Sequence, residues 1–166
     1  MQQSMNEFVA EFRNTIESAT SQLEKISTED ARVPLAEGKW SAKQVIGHLI
    51  DSAANNHARF VRAQLEDDFV FSGYKQEEWV TFQRYNDEPW NQLVALWRYY
   101  NLHLAHVISV ADEGRRDQER GSHNMQEIAF RTVENDQPVT LDFLMRDYVD
   151  HLQHHLGQIF TRINGT

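Results

Sequence analysis

The residues best suited to chemistry in this sequence are two histidines of its last segment. His151 and His155 stand four positions apart where apolar residues recur with a helical period. Their imidazoles therefore leave one helix face one turn apart, a geometry in which two histidines can share one metal ion. His154 lies between them in sequence, but the helical wheel turns it outward. The alternative is a buried pair that hydrogen bonds to neighbouring groups.

A stable metal site needs a third ligand from another segment. The second helical segment offers His48 and His57. Periodicity alone favours His57, because it projects onto the main apolar stripe and His48 lies off it. Against that, a bundle helix touches two neighbours, and Gly47 permits close backbone approach beside His48. Both candidates stay open on this evidence. The other histidines are expected to be solvated or locally hydrogen bonded: His103, His106 and His123.

Two carboxylates lie one helical turn from candidate ligands and are the candidate catalytic groups. Asp51 follows His48 by three positions, and Asp147 precedes His151 by four. Either can orient an imidazole or accept a proton from water on a metal. The alternative is that each is a solvated carboxylate on the bundle surface. Tyr74 and Trp79, from a long connection, are candidates to line a pocket. The alternative is that they only pack against neighbouring side chains.

The composition excludes several classes of function. Among 166 residues, 16 Lys and Arg oppose 25 Asp and Glu, and the net charge of −9 disfavours binding to nucleic acid or to a membrane surface. The absence of cysteine removes thiolate catalysis and leaves His, Asp and Glu as metal ligands. No apolar run approaches the roughly 20 residues of a membrane span, and the N-terminal residues lack the pattern of a signal peptide. A cytoplasmic location is expected.

Four amphipathic helices must position these groups. The apolar period covers about residues 4–26, 41–65, 89–111 and 140 to nearly the end of the sequence. Ser41 and Gln44 form a capping box, Pro89 suits a first helical position, and Thr140 suits a cap.

The two long connections differ in character. Residues 66–88 are expected to contain a short helix near 76–84, whereas residues 112–138 are polar and carry no helical period. No linker divides the chain. The sequence therefore predicts an all-α fold, with residues 1–166 forming one four-helix bundle domain that has long connections after its second and third helices.

Two motifs carry a resemblance to a known family. Residues 39–52, KWSAKQVIGHLIDS, with Arg59 and Phe60 following, resemble the second-helix motif of the DinB/YfiT-like superfamily. Residues 147–159, DYVDHLQHHLGQI, resemble that family's C-terminal metal motif. The resemblance spans nearly the full chain and rests on two motifs that agree in residue type, order and helical context.

The resemblance implies a four-helix bundle that holds a divalent metal ion, often zinc or nickel. Carried over by position, the ligands are His48, His151 and His155, which reverses the periodicity preference for His57 because the Trp-Ser-x6-His-Leu register is matched. Three neutral imidazoles leave the ion an open position. Water there reaches a pKa of about 7, or a thiol is deprotonated.

The family resemblance therefore implies an enzyme that acts on a small-molecule substrate. It is expected to be a metal-dependent hydrolase or a transferase of a low-molecular-weight thiol, and family members are commonly homodimers. Two alternatives stay open: a metal-stabilised binding or structural module without turnover, and a metal-free bundle whose histidines are satisfied by neighbours.

Overall fold

The apolar stripes of the sequence form helices that pack side by side. A computed structural model describes residues 3–118, 123–133 and 139–164, and these residues contain seven α-helices. The helices are α1 (Met5–Leu23), α2 (Ala42–Leu65), α3 (Gln76–Gln83), α4 (Trp90–Ser109), α5 (Glu113–Asp117), α6 (Met125–Ile128) and α7 (Leu141–Asn164). The four long ones, α1, α2, α4 and α7, form a four-helix bundle, so the predicted all-α fold is confirmed.

Local sequence signals set most of the helix ends. The predicted capping box opens α2: the Ser41 hydroxyl accepts from the backbone N–H of Gln44, and the Gln44 side chain accepts from the N–H of Ser41. The Thr140 hydroxyl accepts from the N–H of Phe143 at the start of α7. Pro89 precedes α4 as its N-cap rather than occupying its first turn. The helices thus begin close to the predicted positions.

Helix α2 is buried on more faces than its main apolar stripe. It packs against α4 on one side and α7 on the other, and it also contacts α3. The predicted apolar stripe that contains Ala53 and Phe60 is buried except at its last member, Val61, which is 38% exposed. The polar residues His48 and Asp51 are buried as well, at 0% and 4% exposure. Since several elements cover this helix, a side chain off the main apolar stripe still lies in the interior.

The connection between α2 and α4 closes over α2 at a glycine. It contains α3 and a 3-10 turn, Tyr85–Asp87. A Cβ atom at Gly47 would overlap the ring of Tyr85. The close approach that Gly47 permits is therefore to an aromatic ring, whose hydroxyl donates to the Asp51 carboxylate at 2.7 Å.

The connection between α4 and α7 has more helix than the sequence predicts. The short helices α5 and α6 lie in it, and the expectation of no helix there is wrong at these residues, because helices of one turn are too short to show a period. Residues 119–122 and 134–138 lie outside the described part of the chain. The Asn124 side chain ties the two connections together: its oxygen accepts from the Phe71 N–H at 2.9 Å, and its amide donates to the Phe71 carbonyl at 2.7 Å.

Within the described ranges, none of the helices combines the length and the apolar character that crossing a membrane requires.

Candidate metal centre

Three histidines from two helices converge between α2 and α7. One nitrogen each of His48, His151 and His155 lies within 4.8 Å of the other two. The Nε2 atoms of His48 and His151 are 3.2 Å apart. The ring of His155 is 4.8 Å from that of His48 and 4.6 Å from that of His151, measured between centroids. His48 is fully buried and the other two are partly buried. The structure thus brings together the three residues that the resemblance selects.

Neighbouring polar groups leave ring nitrogens free to bind a metal. The Nδ1 atom of His155 lies 3.0 Å from the amide oxygen of Gln158. That oxygen only accepts, so Nδ1 donates and the lone pair of His155 is on Nε2. The Nδ1 atom of His151 lies 3.5 Å from the Ser52 hydroxyl, which leaves its Nε2 toward His48. Such contacts are how proteins orient metal-binding imidazoles.

Burial keeps these rings neutral. Burial, together with a smaller contribution from the neighbouring His155, lowers the pKa of His48 to about 4. Burial also lowers the pKa of His151 to about 3, with added contributions from the other histidines. The pKa of His155 is lowered for the same main reason. At neutral pH the cluster is therefore three uncharged imidazoles, the protonation state that a metal ligand needs.

The distances and the donors fit a divalent ion. Two imidazoles on a tetrahedral zinc with bonds of about 2.0–2.1 Å have nitrogens about 3.3 Å apart, close to the separation of the two Nε2 atoms. The buried Nδ1 atom of His48 has no hydrogen-bond partner among the residues described. In a ring that binds a metal through Nε2 this Nδ1 carries the proton, so the ion would leave it without a partner. Neutral imidazole is a ligand that suits zinc and nickel.

Aromatic rings and two clefts surround the histidines. The ring of Trp40 packs on His48 at 5.1 Å, and Phe130 packs on His151 at 5.2 Å. A cleft of about 410 Å³ is lined by His151 and His155, together with residues of α2 and of both connections. A second cleft of about 820 Å³ is lined by Trp40 and His155. The cluster is therefore shielded on two sides and reachable from both clefts.

The two predicted catalytic carboxylates have other partners. Asp51 accepts from the Tyr85 hydroxyl at 2.7 Å and from the Gln83 amide at 2.8 Å, and burial raises its pKa. Asp147 accepts from the backbone N–H groups of Phe130 and Arg131 at 2.7 and 2.8 Å. Neither carboxylate hydrogen bonds to a ring of the cluster in the described part of the chain. Their catalytic role stays a prediction.

The other candidates of the sequence are not part of the three-histidine cluster, although His154 packs on His155 at 5.3 Å between centroids. His57 faces α4, where its Nδ1 is 3.5 Å from the Tyr100 hydroxyl and its ring is 5.0 Å from that of His103. His154 is exposed, as the helical wheel predicts. Tyr74 lines the 410 Å³ cleft, whereas Trp79 packs against Tyr74 and is 41% exposed.

Sequence reasoning missed the polar residues that hold the site together. Ser52, Asn56 and Arg59 continue the helix face of His48 along α2 and line the 410 Å³ cleft. Their spacing of four, four and three residues is a signal that would have found them. Gln158, one turn beyond His155, could have been found in the same way.

Comparison with known proteins finds a matching family and several related proteins. The family model of the DinB superfamily matches residues 11–159. Proteins of Bacillus cereus and Bacillus anthracis, named as candidate metal-dependent hydrolases, are 24% identical over 79 residues, which is 48% of this chain. The matched segment is 46% of each relative, so this chain spans about half of the length of these relatives.

A solved structure has a similar fold. YfiT from Bacillus subtilis, described as a candidate metal-dependent hydrolase with an unusual four-helix bundle topology, superposes with a TM-score of 0.73. The match covers 99% of this chain and 92% of that chain, at 19% sequence identity. At this identity the likeness establishes the shared fold.

Proposed function

This chain belongs to the DinB superfamily, and from that membership we propose that His48, His151 and His155 bind one divalent metal ion, zinc or nickel. We propose further that the protein is a metal-dependent hydrolase acting on a small molecule. The observation that carries the proposal is the separation of 3.2 Å between the Nε2 atoms of His48 and His151. A pair of neutral imidazoles at this distance, with a third beside it, matches the spacing of ligands on a tetrahedral metal ion.

The residues around the cluster have distinct tasks in this proposal. A bound divalent ion supplies Lewis acidity, which activates water or a thiol and polarises the substrate. Gln158 holds the proton of His155 on Nδ1, so that Nε2 is available. Ser52 orients His151. Trp40 and Phe130 exclude water from two sides of the rings, which strengthens the electrostatic interactions at the site.

We propose that the two carboxylates act through neighbours rather than on the substrate. Asp147 binds the backbone of Phe130 and thereby holds that ring on His151. Asp51 binds the Tyr85 hydroxyl and thereby holds the connection that closes over α2. Both are positioning residues in this account.

A second candidate reaction is transfer of a low-molecular-weight thiol to an electrophile. The observation that favours it is the pair of clefts that share His154 and His155. A transfer reaction needs room for two small molecules beside the ion, and volumes of about 820 and 410 Å³ provide it. Hydrolysis, by contrast, needs room beside the ion for only one substrate and a water molecule.

Metal analysis of protein purified without an affinity tag tests the ligand set. We expect a single ion per chain in the wild type and its loss in His48→Ala, His151→Ala and His155→Ala. His57→Ala is the matched control on α2 and should keep the ion. Loss of metal with His57→Ala but not with His48→Ala would refute the assignment.

Activity assays then separate the reactions. Ester and amide hydrolysis, and conjugation of a low-molecular-weight thiol to an aromatic electrophile, are measured with and without a chelator. Turnover that the chelator removes and the added metal restores supports an enzyme. Tight metal binding without turnover in either assay would favour a metal-stabilised binding module instead.

A further inference from the structure

Arg59 on α2 is a buried cation without an anionic partner among the described residues. It is 6% exposed, and its one hydrogen bond to another described residue is donated to the Asn56 side-chain oxygen at 3.4 Å. None of the ion pairs between described residues includes it. Burial lowers the pKa of Arg59, although a guanidinium stays charged at neutral pH. A buried charge of this kind is costly unless a ligand balances it.

The Arg59 side chain borders the cleft that leads to the histidines. The 410 Å³ cleft is lined by Arg59 at one part and by His151 and His155 at another. Polar contacts connect the two parts: the Ser52 hydroxyl lies 3.5 Å from His151 Nδ1, and the Asn56 amide lies 3.3 Å from that hydroxyl. The guanidinium and the metal-ligating ring are therefore separated by three short contacts along one face of α2.

The anions already in the cleft do not neutralise Arg59. Asp147 lines the cleft, but its oxygens accept from two backbone N–H groups and from the Arg131 guanidinium at 3.2 Å. Tyr74 lies close enough to Arg59 to affect its pKa, yet the pKa of Tyr74 is itself raised to about 12, so its hydroxyl is neutral. Glu127 also lines the cleft, but it is exposed and forms no ion pair with Arg59 among the described residues. Asp51 is buried, and it accepts from Tyr85 and Gln83 rather than from Arg59.

We propose that Arg59 binds an oxyanion of the substrate, a carboxylate or a phosphate, while the reacting bond of the same molecule lies at the three histidines. A guanidinium offers a planar fork of N–H donors that matches either group. The inference rests on the proposed function, and it narrows the substrate class to small molecules that carry an anionic group as well as the reacting bond. Arg59 is then a substrate-binding residue.

Nuclear magnetic resonance of the full chain tests this binding directly. The Arg59 Nε–H signal is assigned from its loss in Arg59→Lys and is followed during titration with sodium acetate, inorganic phosphate and neutral acetamide. We expect a saturable shift with acetate or phosphate and none with acetamide. The better of the two anions identifies the substrate group. The signal of Arg62 on the same helix, which pairs with Glu66 at the surface, should not move.

A thermal melt distinguishes binding from a structural role. Arg59→Met removes an unbalanced buried charge, so we expect a higher melting temperature together with loss of the anion response. Arg62→Met, the matched control, should change the melting temperature little. An Arg59 signal that neither anion moves, or one that acetamide moves equally, would overturn the proposal. A lower melting temperature for Arg59→Met would count against it too.

The same titration in His151→Ala separates this inference from the metal proposal. Anion binding at Arg59 needs no metal, so the shift should persist in that variant. If the wild type binds metal but neither anion shifts the Arg59 signal, only the substrate inference is overturned. A responsive Arg59 in a protein that binds no metal would leave the anion site standing and refute the metal function.

Discussion

The Nε2 atoms of His48 and His151 lie 3.2 Å apart, although the two residues are 103 positions apart in the chain. Helices α2 and α7 pack together and bring the rings into contact. Without a metal, two neutral imidazoles at this distance can share one proton in a hydrogen bond, which uses the lone pair of one ring. An ion between them and His155 uses all three lone pairs, and measurable consequences follow for stability, affinity and pH dependence.

Zinc or nickel should stabilise the wild type. At an excess of 100-fold over the dissociation constant, binding adds about 2.7 kcal/mol to the free energy of unfolding. For a chain of this size the melting temperature should rise by roughly 5–10 °C, as measured by calorimetry. The His48→Ala variant should show a much smaller rise. An equal rise in the variant would mean that the metal binds elsewhere.

Gln158→Ala should weaken metal binding by about 10- to 100-fold without removing a ligand. The variant frees Nδ1 of His155, so the ring is no longer held with its lone pair on Nε2. Competition with a chromogenic chelator measures the affinity. Gln153→Ala, an exposed position on the same helix, is the control and should bind as the wild type does. Equal affinities for the two variants would contradict the role of Gln158.

Metal-free protein should lose stability as the pH falls from about 6.5 toward 4. The unfolded chain binds protons on its histidines near the ordinary pKa of 6.5, whereas folded His48 and His151 resist protonation down to about 4 and 3. Unfolding therefore takes up protons in this range, and by pH 4 the free energy of unfolding should drop by about 3 kcal/mol for each of these two rings. Urea denaturation at several pH values measures it. The double variant His48→Gln with His151→Gln should have a flatter profile.

Gly47→Ala should destabilise the protein by about 2–4 kcal/mol. The new methyl group overlaps the Tyr85 ring, which must move and lose its hydrogen bond to Asp51. Gly157→Ala is the matched control, since a Cβ at that helical glycine meets nothing within 4 Å. It should be neutral or stabilise by up to about 1 kcal/mol. Similar unfolding curves for both variants would show that Tyr85 adapts freely.

Asp147→Ala should lower the free energy of unfolding by about 2–4 kcal/mol, because two backbone N–H groups lose a buried acceptor. Its metal content should remain. Asp150→Ala is the control: this residue pairs with the same Arg131 at 3.1 Å but is exposed, so its loss should cost about 0–1 kcal/mol. Loss of metal in Asp147→Ala would mean that the carboxylate is needed to hold the histidines in their ligand geometry.

The helices could be predicted because their signals are local. The capping box of Ser41 and Gln44 and the apolar stripes lie within the segments that they organise, and the long helices begin near the expected residues. The short helices α5 and α6 could not be predicted in this way. One turn presents too few residues for a period, and contacts between the connections, such as those of Asn124, hold that region.

The sequence by itself determined the pair of His151 and His155, because two residues four apart on a helix share a face wherever the helix lies. Periodicity left the choice between His48 and His57 open, the family resemblance selected His48, and the tertiary structure places His48 beside His151 and His155. Periodicity identifies the most apolar stripe of a helix, but α2 is covered by α4, α7 and α3, so its interior surface is wider than that stripe. His57 faces α4, and His48 faces α7.

The same reason applies to Arg59. A motif can mark its position, but whether a guanidinium meets a carboxylate or an open cleft depends on which side chains the other elements bring to it.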